Sequence, residues 1–325
     1  MNTIIWGVLG CARIADKAVI PGIIESNNGT LYGIASSSAE KLADFSQRHN
    51  PQKTYTTYEA LLDDPAIQAV YIPLPNGLHY SWTLKALAKR KHVLCEKPLG
   101  ISPGQVKEMF LMAREHGVLL MEAFAYRHSP LTARVKEICA SKELGQLMYI
   151  DSHFSFFLDN PHNVRLSSEL AGGATFDLGC YNTSIIRHLG EEEPISVQAS
   201  GTIGENSGVD EISLAIMDFP SGLQASAYAS FHSPLRSEYT VVGTRGILRV
   251  PVPFNAKGQV TIMKEIDGET ERITLDVPDN YTLEVEQFGR AIQGTEPVLI
   301  DENESVGNAV VIDAILAQIS GSNNR

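Results

Sequence analysis

Ile4–Leu9 is a continuous apolar run closed by Gly10. A strand with no polar face has to be covered on both sides, which calls for helices above and below its sheet. Residues 14–25 supply the first one, with Ala15, Ala18, Val19, Gly22 and Ile23 at helical spacing. The alternation then repeats. Strands are expected over residues 31–35, 69–72, 93–95 and 118–121, and helices over 39–49 and 82–89. Thr56-x-x-Glu59 reads as a capping box for a short helix ending near Asp63-Asp64-Pro65, and Ser102-Pro103-x-Gln105 caps a helix running to about His116. Strands alternating with helices build a parallel, doubly wound sheet.

The pattern changes after about Ala123. Segments of period two, or rich in Val, Ile and Thr, cover residues 148–157, 195–203, 212–219, 223–231, 238–242, 247–250, 260–264 and 271–275. Gly243-Thr244-Arg245-Gly246 and Asp267-Gly268 read as hairpin turns. Helical spacing recurs at 131–140, 283–293 and 304–319, the last capped by Asp301. The fold class is therefore α/β: an N-terminal Rossmann-type doubly wound parallel sheet, plus a C-terminal α+β domain with a large, mostly antiparallel open sheet. The boundary falls between residues 1–122 and 123–325, an ample length for two domains.

Bulk properties exclude several partners. A net charge of −12 opposes phosphate backbones and anionic lipid. Cys11, Cys95, Cys139 and Cys180 form no C-x-x-C pair, which fits a reducing, cytoplasmic setting and offers no metal framework. The apolar start lacks a basic n-region and reads as a buried strand rather than a signal peptide; no run approaches a membrane span.

Gly10-Cys11-Ala12-Arg13-Ile14-Ala15 follows the Gly-x-Gly-x-x-Gly/Ala spacing, with alanine in second place. Small residues admit a pyrophosphate to the backbone, and the helix start offers N–H donors. Gly10, Ala12, Arg13 and Ile14 are the expected contacts; a tight turn without ligand is the alternative. The second strand runs into Ser36, Ser37 and Ser38, with no carboxylate before Glu40 and with Lys41 nearby. Three hydroxyls and a lysine suit a 2′-phosphate, which favours NADP over NAD, while Ser37 and Ser38 can also cap the helix.

Ligands in such sheets bind beyond the carboxyl ends of the strands. There the chain places Pro73, Leu74, Asn76 and His79, then Glu96-Lys97-Pro98, then Tyr126 and Arg127. His79 is read equally as a ligand contact and as a structural hydrogen bond. Tyr126 and Arg127 either border a cofactor or pack at a hinge. A lysine held by Glu96 and Pro98 can hydrogen-bond a substrate oxygen or polarise a carbonyl. In the second domain, Asp177 and Tyr181 stand four apart in a helical segment after Gly172-Gly173, so they share a face.

Together these residues resemble the glucose–fructose oxidoreductase / inositol dehydrogenase (Gfo/Idh/MocA) family. The likeness rests on the Gly10–Ala15 turn, Pro73-Leu74-Pro75-Asn76-x-x-His79, Glu96-Lys97-Pro98, Glu122-Ala123-Phe124, and Gly172-Gly173-Ala174 through Tyr181. Many members have His where this chain has Tyr181. Tyrosine there, with Asn163-Val164-Arg165-Leu166, resembles the branch of dimeric dihydrodiol dehydrogenase and NADP-dependent xylose dehydrogenase. Ala12 departs from the usual second glycine, and Ser37 stands where that branch often has a basic residue. The resemblance implies hydride transfer between NADP (or NAD) and a secondary alcohol or ketone of a sugar, sugar derivative or dihydrodiol bound between the domains. It implies catalytic roles for Lys97, Tyr181 and Asp177, a substrate pocket that includes Phe154, Asn163 and Arg165, and a homodimer, or a tetramer, built through the C-terminal sheet. A nucleotide-dependent sugar sensor and a nonredox, cofactor-retaining lyase or glycosidase are the alternatives.

Overall fold

In a computed structural model, which describes residues 3–322, the chain forms two compact units. The first gathers the chain up to Gly100, Gly104–His128 and Asp279–Ser305. Its sheet consists of β1 (Ile4–Leu9), β2 (Gly29–Ala35), β3 (Lys53–Tyr55), β4 (Ala69–Ile72), β5 (His92–Glu96) and β6 (Leu120–Ala123). All pairings are parallel, in the order β3-β2-β1-β4-β5-β6. The order reverses direction at β1/β4, the switch point where such sheets bind ligands. Val8, Leu9, Ile34, Val70, Ile72, Val93 and Leu94 are fully enclosed, as unbroken apolar strands require.

The helices of this unit are α1 (Ile20–Glu25), α2 (Ala39–His49), α3 (Tyr58–Leu62), α4 (Asn76–Ala88) and α5 (Pro103–His116). A wide turn over Ala15–Val19 leads into α1. Three details differ from the sequence reading. Thr57, not Thr56, caps α3, its hydroxyl accepting from Ala60 N–H at 3.2 Å. The helix expected from residue 82 begins at Asn76, because Pro75 is fixed at the φ of a helix entry and carries no N–H to satisfy. Strand β3, only three residues long and half-exposed, has no apolar pattern to announce it.

The second unit contains α6 (Pro130–Ala140), α7 (Cys180–Gly190) and eight strands: β7 (Leu147–Ser155), β8 (Ser196–Ile203), β9 (Asp210–Asp218), β10 (Gln224–Ser230), β11 (Arg236–Gly243), β12 (Gly246–Pro251), β13 (Gly258–Ile266) and β14 (Glu269–Val277). Their order is β14-β13-β12-β11-β7-β10-β9-β8. Only the β7/β10 pair is parallel. Helix α7 is pinned to this sheet through Asn182, which donates to Tyr228 O at 2.8 Å and accepts from Ser152 Oγ at 2.8 Å. On β9, Ala215 and Met217 are buried while Leu214 and Ile216 are exposed, the alternation of a sheet with one open face.

The sequence boundary after residue 122 assigns everything beyond it to the second domain. The fold instead returns α8 (Asn280–Ile292) to the first unit. Asp279 caps this helix by accepting from Tyr281 and Thr282 N–H, and Phe288 packs with its ring centroid 5.9 Å from that of Trp6. An amphipathic pattern reveals a helix and its apolar face, but not which sheet that face will cover. Helix α9 (Glu302–Ser322) closes the described chain. Among the described residues no helix is long and apolar enough to cross a membrane.

Candidate active site

In the first unit, the turn after β1 is shaped by Gly10. Its φ of +119° is open to glycine, and a Cβ there would lie 3.0 Å from the Leu74 side chain. The helical segment begins directly after Ala12, so its first N–H groups have no acceptor within the helix. Burial pushes the Cys11 thiol up, which keeps this turn residue uncharged. Small residues, unfilled N–H donors and a neutral thiol fit a dinucleotide pyrophosphate.

After β2, Ser36 is buried and its Oγ accepts from Ser38 N–H at 3.2 Å. Ser38 in turn caps α2, accepting from Lys41 N–H at 3.3 Å. Ser37, Lys41 and Arg13 are exposed. The stretch from Ser36 to Ala39 thus carries hydroxyls and a helix start, with no carboxylate to repel a 2′-phosphate.

Lys97 follows β5, half-buried, and each of its neighbours is anchored. Glu96 Oε1 accepts from the buried Tyr71 hydroxyl at 2.6 Å. Pro98 O lies 2.8 Å from His79 Nδ1. Leu99 N–H donates to Glu122 Oε1 at 2.9 Å. The Lys97–Pro98 peptide is cis. Three ties from β4, α4 and β6 leave the backbone at Lys97 little freedom, and a fixed backbone is what a positioned ammonium needs.

His79 takes its structural reading. It is fully buried, and its Nε2 is 2.6 Å from Leu74 O while Nδ1 faces Pro98. Burial pulls its pKa down, and the nearby Lys97 pulls the same way, against the two carbonyls. The ring therefore joins the Pro73–Asn76 loop to the Lys97-Pro98 turn. Pro73 is buried, with Leu74, Pro75 and Asn76 partly exposed at the mouth of the loop. Tyr126 and Arg127 are also buried. Tyr126 packs edge-on to Phe124, and Arg127 Nη1 donates to Glu304 Oε2 at 3.0 Å. Both side chains are engaged in packing and pairing within this unit.

In the second unit, Gly172 and Gly173 precede a wide helical turn over Thr175–Gly179 that continues into α7. A Cβ on Gly172 would lie 2.3 Å from Arg165 O, and Gly173 N–H donates to that same oxygen at 2.9 Å. Arg165 is thereby folded back on the turn, where its Nε donates to Asp177 Oδ2 at 2.5 Å. Asn163 caps the short helical turn that carries Arg165, accepting its N–H at 3.1 Å. The Asp177 carboxylate is thus paired with the guanidinium of Arg165.

Tyr181 stands in an aromatic cluster. Its ring centroid is 5.5 Å from Phe154 in an edge-on contact and 5.1 Å from Phe254. Phe154 and Phe254 stack at 5.3 Å. Phe254 was absent from the sequence reading, since a lone phenylalanine in a loop after β12 shows no periodicity. Asp210 was missed because a polar residue at a strand start gives no sign in the sequence of a partner 35 residues away. Among the described residues, no group of His, Cys, Asp or Glu is arranged to hold a metal ion.

Comparison with known proteins matches this organisation. Residues 4–124 match the oxidoreductase family with an NAD-binding Rossmann fold, GFO_IDH_MocA. Residues 132–249 match the GFO/IDH/MocA C-terminal domain. The D-xylose 1-dehydrogenase (NADP(+)) 2 of Haloferax volcanii is 39% identical over 314 residues, 95% of each chain. The trans-1,2-dihydrobenzene-1,2-diol dehydrogenase of Xenopus tropicalis is 32% identical over 249 residues, 76% of this chain and 74% of that one. The crystal structure of a 3-ketoreductase from Actinomadura kijaniata in complex with NADP and TDP-benzene superposes with a TM-score of 0.91 at 26% identity, covering 98% of both chains.

Proposed function

The chain belongs to the Gfo/Idh/MocA oxidoreductase family, and from that premise we propose an NADP-dependent dehydrogenase or reductase acting on a secondary alcohol or ketone of a sugar, a sugar derivative or a dihydrodiol. The observation that carries the reading is the anchoring of Lys97. Tyr71, His79 and Glu122 tie down the residues around it, at the carboxyl end of β5, in the same parallel sheet as β1, whose turn fits a pyrophosphate. The names of the similar xylose dehydrogenase and of the NADP-bound ketoreductase support the cofactor and the substrate class.

Gly10, Ala12, Arg13 and Ile14 would hold the pyrophosphate, and Ser36, Ser37, Ser38 and Lys41 the adenosine ribose phosphate. Pro73, Leu74, Asn76 and Glu96 would line its nicotinamide end. A bound nicotinamide supplies the hydride donor or acceptor. In reduction, the Tyr181 hydroxyl gives its proton to the carbonyl oxygen; in oxidation it takes the proton back from the alcohol. Lys97 stabilises the charge that develops on that oxygen. Asp177 and Arg165, paired to each other, orient substrate hydroxyls, with Asn163 holding Arg165 in place and Phe154 forming an apolar wall. A sensor has no use for a proton donor, so Tyr181 together with Lys97 favours turnover.

The open face of the second unit's sheet presents Tyr149, Leu214 and Ile216, and this exposed apolar area supports a homodimer formed through it. The unpaired, widely spaced cysteines keep a cytoplasmic setting within the proposal. The test is a panel of pentoses, hexoses, keto-sugars, nucleotide-linked sugars and aromatic dihydrodiols, assayed with NADP and NAD in parallel, then Lys97→Ala on the best substrate. Turnover with net consumption of NADP, lost in Lys97→Ala, is expected. Tight NADP binding without turnover of any panel member would leave a sensor, and product formed without net cofactor change would leave the nonredox reading.

A further inference from the structure

Asp210 opens strand β9 and is buried, with 5% of its surface exposed. Its Oδ2 accepts from both the backbone N–H of Thr175, at 2.7 Å, and the Thr175 hydroxyl, at 2.6 Å. Thr175 is the first residue of the wide turn that carries Asp177 and leads to Tyr181. The other carboxylate oxygen explains the second glycine of the pair. Gly173 has φ +122°, and a Cβ there would lie 2.2 Å from Asp210 Oδ1. The backbone at 173–175 is thus fitted around one carboxylate from a distant strand. Helical amino ends favour negative charge, and an anionic acceptor bonds N–H donors more strongly than a neutral one.

We propose that Asp210 is a positioning residue for the reaction: its carboxylate clamps the start of the helical segment bearing Asp177 and Tyr181, and protonation of that carboxylate releases the clamp and disables turnover. This rests on Tyr181 being the proton donor, as argued above. Burial raises the Asp210 pKa to about 6, against the lowering effect of the two Thr175 bonds. The group is then mostly anionic at neutral pH and mostly protonated one unit below its midpoint. The charged groups around it are already matched. Asp177 on the same turn pairs with Arg165, and Glu211, next on β9, pairs with His232 at 2.5 Å. Strands β8 and β10, which flank β9, bring no carboxylate or cation. The titration therefore belongs to Asp210 and the donors it holds.

The test compares kcat across pH for the wild type, Asp210→Asn and Thr175→Val, with amide exchange at residues 175–181 corrected for intrinsic rates. The wild type should lose about tenfold in kcat on going from neutral pH to one unit below the midpoint, with dinucleotide affinity unchanged. Asp210→Asn should have a lowered kcat without that acid limb. Thr175→Val removes a donor that lowers the Asp210 pKa, so its limb should move to higher pH. A merely structural role would lower stability and leave the limb in place. Exchange at 175–181 should speed up below the midpoint in the wild type, and equally in Tyr181→Phe, where it reads the clamp without reference to catalysis. Full activity in Tyr181→Phe would remove the proton-donor reading while leaving the exchange result standing. An acid limb unmoved by Thr175→Val, or exchange that does not change across the midpoint, overturns the clamp; should Asp210→Asn fail to fold, these two measurements still decide.

Discussion

Replacing Tyr181 with phenylalanine separates catalysis from packing. The ring is held by Phe154 and Phe254, with centroids 5.5 and 5.1 Å away, and phenylalanine keeps both contacts. Only the hydroxyl and its hydrogen bonding are lost, which should cost about 0.5–1.5 kcal/mol of stability. At about 2–4 °C per kcal/mol, the melting temperature should move by only a few degrees. A general acid that has lost its proton should cost far more in rate, about 10²–10⁴-fold, or about 3–5 kcal/mol of barrier. Steady-state kcat and KM, followed by nicotinamide absorbance across pH, read the second effect; a thermal melt reads the first. The expected result is a near-native melt, a near-native KM for NADP and a collapsed kcat. A kcat within about threefold of wild type, with the same pH profile, would show that the proton comes from another group and refute the assignment.

Four other outcomes follow from the same structure. His79→Gln cuts the bridge between Leu74 O and Pro98 O, and should weaken NADP binding by about tenfold in a fluorescence titration, with a smaller change in kcat at saturation. Phe254→Ala removes a buried ring from the Tyr181 cluster, and should destabilise by about 3–5 kcal/mol in chemical denaturation while lowering kcat through a loosened tyrosine. Ile216→Lys places a charge on the open sheet face and should convert a dimer to a monomer in sedimentation, leaving the thermal melt of the monomer near that of the parent. Glu284 on α8 is fully buried, its carboxyl 3.9 Å from His128, and burial pushes its pKa well up while pulling that of His128 down to about 3, so the pair is neutral rather than ionic. An acid whose folded pKa is raised loses stability as pH climbs above its unfolded value, because unfolding then releases the proton. Glu284→Gln removes that slope, so denaturation at alkaline and mildly acidic pH should show the variant gaining on the parent as pH rises.

Much of the fold was legible because its signals are local. The unbroken apolar strands, the helix over residues 39–49 and the alternation after Ala123 are periodicities set within one element, and the elements formed where those periodicities ran. The Gly10 turn was legible for the same reason: it needs small residues at fixed offsets. Where a local signal was weak, the boundary slipped, by one residue at Thr57, where two neighbouring hydroxyls compete for the cap, and by six at Asn76, where the helix entry is set by Pro75.

The site was legible as a set of residue types and much less as a set of partnerships. Lys97 and Tyr181 could be singled out from their neighbours in sequence. That His79 would bridge two carbonyls, that Arg165 would hold Asp177, and that Phe254 would pack on Tyr181 depended on which loops the fold brings together. So did the return of α8 to the first sheet. The sequence by itself determined most of the elements, the glycine turn after β1 and the lysine after β5, because steric and periodic constraints act along the chain. Only tertiary structure decided that a carboxylate at position 210 would meet a hydroxyl and an amide 35 residues away, because burial selects the partners of a polar group after the strands have paired.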